Sequence, residues 1–147
     1  MDFGFGIYAS REVDSKVINE LSSELQEYFL NKNFGQGVLD ISIGIICVSK
    51  DFEPFFRPRN PKYTKGKKEE ERDGITIVFE KILEYDCKID FDLYQKNSEL
   101  ERKSLIANSV SKASRETFQK LKIKDFDEMA YMESLENYFT EKEYLNL

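Results

Sequence analysis

The chain has no histidine and no tryptophan, and the lack of imidazole is the most restrictive feature of its sequence. It excludes hydrolysis by a Ser-His-Asp set, a Cys-His nucleophile and a zinc site with a histidine ligand. The two cysteines, Cys47 and Cys87, are too few for the disulfide framework of a small secreted protein. Both lie in apolar stretches, so we expect them to pack as small buried hydrophobes.

Long apolar segments are lacking as well. The longest runs from Ile41 to Val48 and is interrupted by Ser42 and Gly44, whereas a helix needs about 20 apolar residues to span a bilayer. The first residues, Met1–Gly4, contain neither the basic region nor the apolar core of a secretory signal. These absences predict a cytoplasmic protein with no membrane partner.

Charged residues are plentiful and unevenly distributed. The 147 residues include 22 Lys and Arg against 28 Asp and Glu, a formal net charge of −6. The segment Arg57–Lys68 holds six basic residues and no acidic one, and basic residues interleaved with aromatic ones are typical of single-stranded nucleic-acid contacts. Because the net charge repels phosphate and the acidic run Glu69–Glu71 follows at once, we expect this loop to pair internally and predict no nucleic-acid partner.

The hydrophobic pattern predicts a single α+β domain over residues 1–147. Alternation in Phe3–Ile7 indicates a strand, and apolar spacings of three and four in Val17–Phe29 indicate an amphipathic helix. The density of β-branched residues in Val38–Ser49 indicates a central strand. The three prolines all follow in residues 54–61, which favours a loop or a poor edge strand there.

The longest alternating pattern runs from Ile75 to Phe91 and is too long to be one straight strand in a domain of this size. We expect a break at Lys81, with a hairpin turn at Tyr85-Asp86 as the alternative. Two helices follow: the first begins with a Ser98–Glu101 capping box, and the second begins near Asp125.

The predicted order of elements is thus β-α-β-β-β-α-α. Because most strand connections resemble hairpins, we expect a mainly antiparallel sheet of about four strands, with three helices packed on one face.

The other face of this sheet is predicted to be acidic and to meet solvent or a partner. We predict that the partner-binding residues are Glu80, Glu84, Asp90 and Asp92. The spacing of Asp86, Asp90 and Asp92 would also suit a hard cation such as Mg²⁺. The same spacing is typical of a solvated strand, however, and no ligand loop containing glycine accompanies it. We therefore predict no metal, no cofactor and no catalytic residue.

Four stretches of the sequence are spread over most of the chain: Ala9–Val13 before a long helix, Asn33–Gly37 before an apolar strand, Lys88–Tyr94 with Glu99–Ile106, and Lys124–Asp127 at the start of the last helix. In these stretches the chain resembles the immunity proteins of bacterial polymorphic toxin systems, family forty-four. The resemblance implies a small cytosolic antidote that binds and blocks a cognate toxin without catalysis. It assigns no functional residue.

We therefore predict a non-catalytic immunity protein. Many toxins of this kind are basic nucleases, so an acidic face could occupy a nucleic-acid cleft. The alternatives are a phage-type acidic inhibitor of a host nuclease and an enzyme that depends on carboxylates or a metal. The sequence does not predict the oligomeric state.

Overall fold

The computed structural model describes residues 3–9, 16–48, 61–64, 68–79 and 81–145. They form six strands and four helices. The strands are β1 (Gly4–Ala9), β2 (Asp40–Val48), β3 (Lys62–Thr64), β4 (Lys68–Arg72), β5 (Ile75–Phe79) and β6 (Ile82–Asp90). The helices are α1 (Lys16–Phe29), α2 (Phe91–Lys96), α3 (Glu99–Lys120) and α4 (Glu128–Glu141).

The main sheet has four strands in the order β1-β2-β6-β3. The expectation of a mainly antiparallel sheet is wrong, because β1 and β2 are parallel and so are β2 and β6, while only the short β3 pairs antiparallel to β6. A parallel pair needs a long crossover, and α1 lies in the crossover between β1 and β2. The α+β class and the internal position of β2 are confirmed.

The strands β4 and β5 form a separate two-stranded ribbon. The ribbon turns at Asp73-Gly74, where both residues have positive φ, of 50° and 79°. This is the dihedral pattern that two-residue hairpin loops prefer. The predicted break at Lys81 is confirmed by its φ of 58°. The alternative turn at Tyr85-Asp86 is wrong, since β6 continues through it.

The helices also depart from the prediction in two ways. There are four among the described residues, because the alternating pattern ends at Asp90 and the chain enters the short helix α2. Ser98 and Glu101 do form the capping box of α3. The last helix is capped by Asp127, whose side chain accepts a hydrogen bond from the Ala130 N–H, whereas Asp125 has a φ of 61° and precedes the helix.

The hydrophobic core lies between the helices and one face of the main sheet, as expected. Phe29 of α1 and Tyr131 of α4 stack with ring centroids 5.6 Å apart, and Phe3 and Phe34 pack edge-on to Phe29. Cys47 and Cys87 are buried free thiols in this core, which confirms the prediction. The core thus occupies one face of the sheet. The other face carries the polar side chains of β2 and β6, together with Ile46, which is also fully buried.

Backbone hydrogen bonds join the turn before β2 to the turn before α4. The amide of Gly37 donates to the Asp125 carbonyl at 2.8 Å, and the amide of Asp127 donates to the Phe34 carbonyl at 2.8 Å. Gly35 has a φ of 102°, and a Cβ there would collide with the Asp125 carbonyl oxygen. Two of the sequence stretches that carry the family resemblance, residues 33–37 and 124–127, are therefore one structural unit.

Candidate functional site

The face of the main sheet opposite the helices is the candidate site, and we call it the open face. The register across the strands places Gly4 beside Asp40, Ser42 beside Glu84, and Gly44 beside Asp86. It therefore has a floor of small residues on β1 and β2. Among the described strand residues, the charged residues of the open face are Asp40, Lys62, Glu84, Asp86, Lys88 and Asp90.

The small residues give the acidic side chains room to lie across the sheet. A Cβ at Gly4 would stand 2.8 Å from the Asp40 Oδ2, and a Cβ at Gly44 would collide with the Asp86 Oδ1. Each carboxylate therefore lies over the glycine that is its register partner. Any larger residue at these glycines would displace the carboxylate.

One carboxylate of the open face, Asp40, lies in an environment that disfavours its charge. The pKa of Asp40 is raised above its ordinary value, first by burial and then by repulsion from Glu84. No described side chain donates a hydrogen bond to Asp40. A cation brought by a partner would relieve this repulsion, because an opposite charge nearby favours the ionised form.

The four predicted partner-binding residues have different positions. Glu84 and Asp90 lie on the open face of β6, because they are separated by an even number of positions along the strand. Asp90 also caps α2, since its Oδ1 accepts a hydrogen bond from the Leu93 N–H at 3.1 Å. Asp92 lies in the first turn of α2 and is not part of the strand, and Glu80 lies outside the described residues. The structure thus places two of the four on the open face.

The prediction missed Asp40 and Tyr8, and did not include Asp86 among the partner-binding residues. Tyr8 is 60% exposed, and its hydroxyl lies over Gly6. Asp40 alternates with the buried Ile41 and Ile43 and so lies on the face opposite the core, but its proximity to Glu84 depends on how β2 pairs with β6 across a long stretch of chain. Asp86 could have been included, because it alternates with Glu84 and Asp90.

The described residues contain no group of three or more Asp, Glu, Cys or His side chains arranged to hold a metal ion. In the same part of the chain, no helix combines the length and the apolar character needed to cross a bilayer.

A second polar cluster lies on the helix side, and we call it the Glu24 junction. The Glu24 carboxylate accepts hydrogen bonds from the Lys103 Nζ at 2.9 Å, the Tyr138 hydroxyl at 2.9 Å and the Tyr144 hydroxyl at 3.1 Å. Burial disfavours the charge of Glu24, but these donors outweigh it and hold its pKa below the ordinary value. This junction ties α1, α3 and α4 together.

The sequence matches the family model described as Immunity protein 44 over residues 1–141. The chain belongs to the Immunity protein 44 family. Membership implies an immunity protein against a toxin, so a toxin is the implied partner. Neither the curated proteins nor the solved structures include a match to this chain. The resemblance read from the sequence is thus confirmed, and the family supplies the function class but no residue of the site.

Proposed function

We propose that this immunity protein neutralises its toxin in the cytoplasm by covering a basic surface of the toxin with the open face of its sheet, without catalysis. The toxin surface that best suits such a face is the nucleic-acid cleft of a nuclease. The observation that carries the proposal is the group formed by Asp40, Glu84 and Asp86, which lies beside a floor of small residues.

Charge supports the proposal. Long-range attraction between an acidic protein and a basic one speeds their encounter, and complementary charges then fix the orientation of the complex. The net charge of −6 gives the whole chain the appropriate sign. The carboxylates of β2 and β6 concentrate that charge near the middle of the sheet, while Lys62 lies on the edge strand β3.

Shape and side-chain type support it too. Gly4 and Gly44 have no side chain, so the Asp40 and Asp86 carboxylates lie flat over the β1–β2 side of the open face, where arginine or lysine side chains of a partner would meet them. Tyr8 supplies a mostly exposed aromatic ring at the border of this area, and tyrosine is enriched among the residues that dominate binding energy at interfaces.

The experiment compares association rates of the chain with its cognate toxin, the product of the neighbouring toxin gene. Reversing Glu84 and Asp86 to Lys should slow association at low salt by about tenfold and weaken its salt dependence, because steering by these charges is lost. The matched control reverses Glu116 and Glu133, which are exposed on α3 and α4. It changes the net charge equally and should alter the rate by less than about threefold.

The outcome against the proposal is equally definite. If both double variants slow association to the same degree, only net charge matters and the open face is not the contact surface. Unfolding in urea checks that each variant is folded before its rate is interpreted.

The enzyme alternative has a separate test. A protein that binds a catalytic metal unfolds at a higher temperature when the metal is present. We expect no shift of the melting temperature with Mg²⁺, Mn²⁺ or Ca²⁺ at millimolar concentration. A clear upward shift would instead support metal-dependent chemistry.

A further inference from the structure

The β4–β5 ribbon has no part in the toxin-binding proposal. Three residues separate Thr64 from Lys68, and only two separate Phe79 from Ile82. In the sequence the ribbon therefore lies between β3 and β6, which pair antiparallel with each other.

The two strands of the ribbon differ sharply in composition. All five residues of β4, Lys68–Arg72, are charged, and none of the five residues of β5, Ile75–Phe79, is charged. Charged residues are a usual protection of an edge strand against pairing with another chain. The edge of β4 has this protection and the edge of β5 lacks it. Ile75 at the start of β5 is 66% exposed.

In the described part of the chain, no strand lies along the outer edge of β5. The strand β2 lies beside β6, but its pairing starts with Asp40 opposite Ile82. The residues before it bend away into the turn held by residues 124–127. Among the described residues, no third strand pairs with the ribbon.

The turn geometry shows which backbone groups point outward. In a hairpin with a two-residue loop, the backbones of the flanking residues, here Arg72 and Ile75, hydrogen-bond to each other. Along the two strands, register partners that form such hydrogen bonds then alternate with partners that do not. The peptide groups of Thr76 and Val78 therefore point away from β4. On the other edge, those of Glu69 and Glu71 point outward.

We propose that β5 pairs antiparallel with β5 of a second copy of this chain, which makes a symmetric dimer. An uncharged strand meets no electrostatic repulsion from its own copy, whereas β4, with three consecutive glutamates, would repel itself. With Ile77 on the two-fold axis, Thr76 of each copy bonds to Val78 of the other, and the two ribbons become one four-stranded sheet. A sheet of three or more strands is stable where a lone hairpin is marginal.

The test is the mass of the isolated chain by sedimentation as its concentration rises over about a hundredfold range. The monomer mass is 17.3 kDa, and we expect the mass to approach twice that value. Thr76→Pro removes an outward N–H of β5 and should raise the dissociation constant of the dimer by about tenfold or more. Glu71→Pro is the matched control, because Glu71 is the register partner of Thr76 and its N–H points outward on the other edge.

A chain that stays monomeric at every concentration overturns the proposal. That result would also be seen if the strand that pairs with β5 came from a different protein. A Thr76→Pro variant that dimerises like the original chain overturns the proposal as well. If Glu71→Pro also abolishes the dimer, proline has disturbed the ribbon itself, and a pair of charge variants at Ile77, on the two-fold axis, gives the deciding test. Ile77→Lys and Ile77→Glu should each be monomeric alone and form a dimer when mixed, and a mixture that remains monomeric overturns the proposal. None of these results depends on the toxin.

Discussion

Carboxylates meet opposite conditions on the two sides of the main sheet. At the Glu24 junction, three donors surround one carboxylate and lower its pKa. On the open face, burial and the neighbouring Glu84 raise the pKa of Asp40. The first arrangement stabilises the folded chain on its own, whereas the second leaves a charge that a basic partner would stabilise. Glu24, whose charge the fold favours, can thus be distinguished from Asp40, whose charge the fold disfavours.

The largest effect we expect is on the helix side, at the turn before β2. Gly35→Ala should lower the free energy of unfolding by about 2–4 kcal/mol. Alanine is strained at the positive φ of this position, and its Cβ would in addition collide with the Asp125 backbone. Gly74→Ala is the control, since Gly74 also has positive φ but has nothing within 4 Å of the added Cβ. Urea unfolding measures both variants. Equal losses would show that backbone strain, and not the packing of the two turns, is responsible.

Removal of the Glu24 carboxylate should have the next largest effect. Glu24→Ala leaves the Lys103 ammonium, only 16% exposed, without its closest partner, and should cost about 2 kcal/mol. The control is Glu99→Ala, which breaks an ion pair with Lys16 whose side chains are both 60% exposed. That pair should contribute less than about 1 kcal/mol. A loss at Glu99 as large as that at Glu24 would contradict the contrast between the two environments.

The pH dependence of the Glu24 effect has a definite sign. The folded pKa is lowered from an ordinary value of 4.5, so the folded state binds fewer protons than the unfolded chain in this range. The stabilisation is fully present above pH 4.5 and decreases as the pH falls through the folded pKa. The difference between the original chain and Glu24→Ala should shrink accordingly in acid.

Local signals in the sequence predicted local structure well. Ser98 and Glu101 are three residues apart and bond to each other's backbone, so the start of α3 needs no other part of the fold. The polar Lys81 in an alternating apolar pattern likewise marked the true break. Two local signals were missed, however. Asp73-Gly74 is a strong hairpin dipeptide, and Asp90 is a good helix cap that ends β6.

Long-range pairing could not be predicted in the same way. The sequence near β2 does not indicate that this strand runs parallel to both β1 and β6, because strand direction depends on the crossover connections and on the shared core. The composition of the open face follows from this pairing. Glu84 and Asp90 were found from alternation within one strand. Asp40 alternates in the same way with the buried Ile41 and Ile43, but only the register of β2 with β6 brings it near Glu84.

On the open face, Asp40→Asn should separate stability from binding. The folded pKa of Asp40 is raised above 3.8, so its charge destabilises the fold at neutral pH and this cost disappears as the pH falls below that value. The variant should gain up to about 1 kcal/mol of stability at pH 7 and bind the toxin more weakly. Glu116→Gln, an exposed change on α3, should alter neither. A loss of stability in Asp40→Asn would contradict the repulsion we infer.

The smallest expected effect tests whether the position of a carboxylate matters in addition to its charge. In Gly44→Ala the new Cβ would displace the end of the Asp86 side chain, which is flexible, so stability should change by less than about 1 kcal/mol. The net charge is unchanged, and a slower association with the toxin, by about twofold to fivefold at low salt, would therefore report geometry alone. Ser42→Ala is the control on the same strand and should leave the rate unaltered. If Gly44→Ala also binds like the original chain, then the open face attracts its partner by charge, and the glycine beside Asp86 serves only the packing of the sheet.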